Sequence, residues 1–393
     1  MCALKVCVLS HDLAGGGGHI RAYLLGEALA RLGCHVRIIG FLVFGDRVFA
    51  QPPEGLELVS FPGRNYPQFL IPAAQALSRL DADVVYAVKA RSSTFGLALV
   101  NRLLRRVPVI LDIDDWDMAL AGGVQRRYRP RPKQFIKDLL WTKYGLRYPH
   151  HLVYIRQLEK LIPLADQITV NNRFLESRFG GTYVPSGKDT ALFDPARFEA
   201  DECRAKLGLS AYRVLMFPGS PRPQKGLEDL LAALELINEP DIRLVIVGGG
   251  KYDDYDSELA RRWGRWIINL PPVAVSSMPE IVAAAHVVVV PSSDTEISRA
   301  QFPLKLTDGM SMAKPVLATT VGDIPEILAD CGYLVPPGSP ERLGQAIKHI
   351  LSDPAEAAAT GARARERCLK YYTIEAMSQA LSGVLGKLGL PVT

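Results

Sequence analysis

The sequence predicts an α/β protein of two consecutive domains, each a parallel sheet with flanking helices, facing a shared cleft. Three observations carry this. A chain of 393 residues exceeds one ordinary core. Unbroken apolar runs such as Leu4–Leu9 and Val287–Val290 read as strands buried on both faces. An alternation of strand, glycine-rich loop and helix starts at the N-terminus and starts again at Arg213. A hydrophobic content of 48% with 22% charged residues excludes a disordered chain. No segment approaches the ~18 apolar residues of a membrane span.

The first strand, Leu4–Leu9, is too short an apolar run for a signal peptide. The loop 12–19 follows with four glycines, then a helix on which Tyr23, Leu24, Ala28, Leu29 and Leu32 recur at helical spacing until Gly33, then the strand Val36–Leu42. Such an opening suits close approach of backbone to a phosphate or sugar, or it is a flexible surface turn. It fails as a dinucleotide fingerprint: Ile20 or Arg21 stands at the third glycine, and no acid ends the second strand.

Strands 83–88 and 107–111 flank a helix predicted from Ser93 to Arg105, and the second strand runs into Asp112, Asp114, Asp115 and Asp117. Four carboxylates there need compensation by a metal, a base or bound hydroxyls. The expectation is one or two acids facing the cleft and no metal; the bland alternative exposes Asp115 and Asp117 and leaves only Asp112 or Asp114 facing it. Between Ala121 and Lys160 ten cations are opposed only by Asp138 and Glu159, and they alternate with Phe135, Leu139, Leu140, Trp141, Tyr144 and Tyr148. An anionic membrane surface, a nucleic-acid patch and a merely solvated helix face all fit this segment, 124–160. Residues 165–170 close the first half, and 183–189 have the turn chemistry of an interdomain crossover.

The second half opens with the strand Arg213–Pro218, the loop Gly219–Gly226 bearing Arg222 and Lys225, helix 227–237 and strand 242–247. The stretch from Pro291 to Glu326 is the chemical centre of the reading. A β-branched strand runs into a polar loop, Pro303–Leu306 opens a helix carrying Asp308, and a strand at 315–319 follows. The first N–H groups of such a helix have no internal partner and stabilise an anion, while an acid about one turn in reaches a ribose hydroxyl. The bland alternative is an ordinary βαβ unit with solvated polar residues. From Pro340 on the chain is helical. The six cysteines are scattered without ligand spacing, as reduced core thiols are, which points to the cytoplasm.

Taken together, these loops resemble the GT-B glycosyltransferases, most closely the retaining enzymes of glycosyltransferase family 4. The resemblance rests on Gly16-Gly17, Val184–Asp189 through Phe193, Gly219–Gly226, Ile246–Gly250, Met278-Pro279 and the stretch 291–326. It implies two Rossmann-like domains, 1–185 for the acceptor and 186–370 for a nucleotide sugar, with a helix at 371–393 crossing back to the first. Metal-independent transfer with retention is implied too, with no cofactor. The family's diphosphate-binding Lys falls on Lys225, and Arg222 stands in for an Arg whose own position is Ser220. The family's two glutamates, eight apart, fall on Ala300 and Asp308, which leaves the sugar contact to Glu296 or Gln301 and the ribose to Asp308. Phe302, Pro303 and Leu304 occupy the phosphate loop. Lys305 adds a cation there. Gly16, Gly17 and Gly219 are donor-binding by the same match, and Asp114 replaces the His often found after the fourth strand.

The expected activity is transfer of a sugar from a nucleoside-diphosphate donor to a hydroxyl of a polysaccharide, lipid-linked or small-molecule acceptor. The expected setting is cytoplasmic, peripheral to the inner face of the membrane through 124–160, and nucleic acid is not the expected partner. The alternative is a non-catalytic GT-B binder of nucleotide sugars.

Overall fold

The computed structural model describes residues 3–15, 17–123, 128–249 and 254–390, and the expectation for Gly16 lies outside them. The chain forms two compact units, Met1–Gly187 with Ile374–Thr393, and Lys188–Thr373.

The first unit holds seven strands: β1 (Lys5–Ser10), β2 (His35–Leu42), β3 (Glu57–Pro62), β4 (Val84–Val88), β5 (Val109–Ile113), β6 (Gln167–Val170) and β7 (Thr182–Tyr183). Their order is β3-β2-β1-β4-β5-β6-β7, parallel throughout. Val6, Val8, Ile38, Tyr86 and Ile110 share one core with Leu25 and Leu29 of helix Ile20–Arg31. Met377, Leu381 and Val384 of the last helix, Ile374–Lys387, enter that same core, and Ser378 Oγ donates to the Ala28 carbonyl at 2.9 Å. The helix expected from Ser93 begins instead with a wider π-turn, Ser92–Gly96, before the α-helix Leu97–Arg105.

The second unit holds β8 (Arg213–Pro218), β9 (Ile242–Val247), β10 (Ile267–Leu270), β11 (Val287–Val290), β12 (Val316–Thr319) and β13 (Tyr333–Val335). The order is β10-β9-β8-β11-β12-β13, again parallel. Side chains alternate across a strand. Leu215, Phe217, Val287 and Val289 therefore pack into a core with helices Leu227–Ile237 and Pro340–Ser352. Val214, Met216, Val288 and Val290 pack into a second core, with helices Leu304–Ser311 and Pro354–Tyr371. Both faces are covered, which is why these strands read as unbroken apolar runs.

In both sheets the winding reverses beside the first strand of the unit, between β1 and β4 and between β8 and β11. Loops leaving the carboxyl ends of such a pair diverge and open a crevice, where ligands bind in open α/β sheets.

Candidate active site

In the second unit the crevice lies between the loop after β8 and the segment after β11. The two are stapled together by backbone. The Gln224 carbonyl accepts from Ser293 N (3.1 Å) and from Ser298 Oγ (3.0 Å). Gly226 turns the loop with φ +68°, and a Cβ there would lie 1.9 Å from the Pro291 carbonyl oxygen. A side chain at 226 therefore meets both a left-handed backbone and a wall of main chain. Gly226→Ala should cost about 3 kcal/mol or more of stability, read as a lowered midpoint in urea unfolding with no change of slope.

Helix Leu304–Ser311 points its N-terminus at this crevice. Gly309 lets it approach, since a Cβ there would stand 2.9 Å from Val288 Cβ on β11. Pro303 is the N-cap and supplies no side-chain cap, and the first turn carries no acid. It carries a cation, Lys305, where the helix dipole favours an anion. The Lys305 ammonium lies 4.7 Å from the Phe217 ring centre, and Gly219 leaves room for it: a Cβ at 219 would stand 3.7 Å from Nζ. Burial, and then the neighbouring Lys225 charge, push Lys305 down to about 7, opposed by Asp308. Lys225 Nζ donates to Gln301 Oε1 at 2.6 Å.

Asp308 sits one turn into the helix, buried, and its Oδ1 forms an ion pair with Lys188. The Lys188 ammonium also lies 3.8 Å from the Phe193 ring centre. Lys188 was not among the expected site residues. Lys188 and Lys305 thus flank Asp308, with Lys225 beside Lys305, and the excess positive charge is suited to a polyanion.

Of the other expected residues, Phe302 and Pro303 are buried and Leu304 half-buried at the helix entrance. Arg222 is half-buried ahead of the turn Pro223–Lys225. Glu296 is exposed on the short helix Glu296–Arg299, and of the two polar side chains offered for the sugar it is Gln301 that touches Lys225. Ala300 is buried.

In the first unit the carboxyl edge of β1, β4 and β5 is a dense charge cluster. Asp115 is half-buried and Asp117 buried, so the bland alternative that exposed both does not hold. Lys89 Nζ donates to Asp115 Oδ2 (2.6 Å) and stands 3.4 Å from Asp114 Oδ1, while Arg91 grips Asp117 with two hydrogen bonds (2.9 and 2.6 Å). Asp112 is held by Arg21 through Nε and Nη2, both at 2.9 Å. The compensation that four acids require therefore comes from three basic side chains. Lys89 takes a left-handed backbone, φ +70°, to reach its partners. Asp114, the expected catalytic acid, is raised to about 6, by burial first and then by Asp115 and Asp112 against the pull of Lys89.

The glycine loop after β1 is shaped by Asp12, whose carboxylate accepts from Ala14 N, Gly15 N and Val43 N (3.1, 2.7 and 2.9 Å). A Cβ at Gly15 or Gly18 would strike Asp12, at 2.3 and 2.6 Å, whereas Gly17 faces open space. Glycines 15 and 18 are thus required by the loop's own packing, leaving Gly17 available to a ligand.

Two parallel sheets of the same winding, each with glycine-bearing loops at its carboxyl edge, are two Rossmann-like domains, and solved GT-B glycosyltransferases share the fold. HepE of Anabaena, solved in complex with UDP-glucose, is 17% identical with a TM-score of 0.72, over 98% of this chain and 99% of its own. Sucrose-phosphate synthase of Thermosynechococcus elongatus is 20% identical with a TM-score of 0.75, over 98% and 99%. The "Glycosyl transferase 4-like domain" model matches residues 16–155 and the "Glycosyl transferases group 1" model residues 212–353. The chain belongs to the GT-B glycosyltransferases of the family-4-like type. A D-inositol 3-phosphate glycosyltransferase of Kineococcus radiotolerans is 31% identical over 53% of this chain and 54% of its own length. A GDP-mannose-dependent monoacylated alpha-(1-6)-phosphatidylinositol monomannoside mannosyltransferase of Corynebacterium glutamicum is 26% identical over 58% and 64%. The chain thus spans less than two thirds of the length of these relatives. Among the described residues, no helix is long and apolar enough to cross a membrane.

Proposed function

We propose that the chain transfers a sugar from a nucleoside-diphosphate donor to an acceptor hydroxyl, with retention of configuration and without a metal. The observation that supports this most is the meeting of Lys225 and Lys305 at the acid-free N-terminus of helix Leu304–Ser311. Two ammonium groups and the first N–H groups of the helix, those of Leu304 and Lys305, would hold the diphosphate and stabilise the charge that grows on it as the bond to the sugar breaks. Such charges act strongly in a site that excludes water, and they do the work a divalent ion does elsewhere. Asp308, steadied by Lys188, would hold the ribose hydroxyls, with Gln301 and Glu296 nearest the sugar. Asp114, at about 6, would be a carboxylate at neutral pH and able to accept a hydrogen bond from the acceptor hydroxyl.

Thermal shift against UDP, GDP, ADP, CDP and TDP tests the donor half. At least one should raise the melting temperature, because a ligand that binds only the folded state stabilises it. Flat melts with all five would dismiss the reading. The anomeric signal of the product, followed by NMR in EDTA, tests retention and metal independence.

Ala300 favours a second reading, a GT-B protein that binds a nucleotide sugar without transferring it. Position 300 has no side chain to reach a sugar and is 1% exposed. Binding with neither transfer nor hydrolysis across a broad donor and acceptor panel would select it.

A further inference from the structure

Helix Pro132–Leu140 packs with the opposite face inward from an ordinary surface helix. At about 100° per residue, Phe135, Ile136, Leu139 and Leu140 fall within about 140° of its circumference, the stripe a soluble helix buries. Here all four are exposed, by 41–51%. Asp138 faces inward instead, buried, with its carboxylate accepting from Tyr128 Oη (2.9 Å), Gln134 Nε2 (2.7 Å) and Thr142 Oγ1 (3.2 Å). Its carbonyl accepts from Leu146 N at 3.0 Å, and a Cβ on Gly145 would stand 2.1 Å from that oxygen. The polar side is locked, so the apolar side is presented in a set direction.

The chain beyond the helix continues the pattern. Trp141 and Tyr144 are exposed by 72% and 50%. Arg129, Arg131, Lys133, Lys137 and Lys143 are exposed as well, and Asp138, buried, is the lone acid from 128 to 148. The segment is tied to the first unit where Asn65 Nδ2 donates to the Lys143 carbonyl (2.8 Å) and Tyr66 N to that of Arg147 (2.7 Å). Lys143 and Tyr144 also line a cavity of about 340 Å³ with Phe41, Phe69, Tyr148 and His150.

We propose that residues 128–148 are a docking face for an anionic phospholipid bilayer. Aliphatic side chains, a tryptophan and a tyrosine would enter the headgroup boundary while the ring of lysines and arginines meets lipid phosphates. The two other partners of suitable charge or shape fit less well. A nucleic acid offers no apolar medium for four large aliphatic and aromatic side chains. A second copy would set five cations against the same five.

Trp141 reports the event directly, because Trp116, Trp263 and Trp266 are only 2–4% exposed. The full chain should sediment with vesicles of phosphatidylcholine plus phosphatidylglycerol, with a blue shift of Trp141 emission, and stay in solution with phosphatidylcholine alone. High salt should release it. Ile136→Ser with Leu140→Ser, or Lys133→Glu with Lys137→Glu, should weaken sedimentation by about tenfold or more. Both double variants should keep the melting temperature and any nucleoside-diphosphate shift, since the donor site is untouched. Equal binding to both vesicle types, or no binding to either, overturns the proposal. So does a blue shift that follows protein concentration without lipid and tracks a dimer in ultracentrifugation.

Discussion

Turnover by the Lys225→Ala chain should fall by about 10²–10³-fold, corresponding to roughly 3–4 kcal/mol of lost barrier stabilisation. The size follows from what the ammonium meets. In the absence of donor it is satisfied by Gln301 and raises the local potential felt by Lys305. Against a departing diphosphate its value increases as negative charge accumulates, so kcat should suffer more than KM. The loop itself should survive, because its staples run through the backbone of Gln224 and Gly226 rather than through the Lys225 side chain. An unchanged melting temperature with near-normal transfer would remove Lys225 from the chemistry.

Lys305→Met should have the second large effect, and it should act in two directions. Folding brings Lys305 from its ordinary 10.5 to about 7. Between those values the unfolded chain holds a proton there that the folded chain has lost, so stability rises with pH across this window. Below about 7 both states are protonated and the full penalty of the buried charge applies. Methionine, of similar length and without the charge, should therefore raise the melting temperature, more at pH 6 than at pH 9. The same variant should lose any stabilisation by nucleoside diphosphates, because the anion is what makes a charged Lys305 favourable. In the unmodified chain, binding near pH 8 should take up a proton, visible as a dependence of calorimetric heat on the buffer's ionisation enthalpy. A Lys305→Met chain that is less stable at pH 6, or that still binds diphosphate equally well, would contradict this account.

Much of the architecture could be read from the chain because parallel strands buried on both faces leave continuous β-branched runs. β8, β9 and the helix between them fall where the sequence placed them, Arg213–Pro218, Ile242–Val247 and Leu227–Ile237. β3 escaped because Glu57–Pro62 lies at the sheet edge, where half-exposed residues alternate and no apolar run forms. The helix Leu70–Ser78 carries Pro72 in its first turn, a residue that reads in sequence as a breaker although the helix is unbroken. At the candidate site the loops and Lys305 were legible from local chemistry, whereas ion pairs made across the fold were not. Lys188 stands 120 residues from Asp308, and no spacing rule joins them. Arg21 did leave a trace: it shares a face with Leu25 and Ala28, and a cation on the buried side of a helix requires an acid to meet it. The partners of Asp115 and Asp117, Lys89 and Arg91, lie 26 residues back, just after the preceding strand β4, and leave no comparable mark.

The last helix, Ile374–Lys387, has a bearing on how the molecule comes into being. Its Met377, Leu381 and Val384 line the same core as Leu25 and Leu29, encoded more than three hundred codons earlier. During synthesis, Lys188–Thr373 emerges in one piece and has everything it needs to close, whereas Met1–Gly187 leaves the ribosome with an oily furrow and nothing yet made to fill it. Where domains fold in the order of their synthesis, residues 1–187 cannot complete their core until helix Ile374–Lys387 has been made.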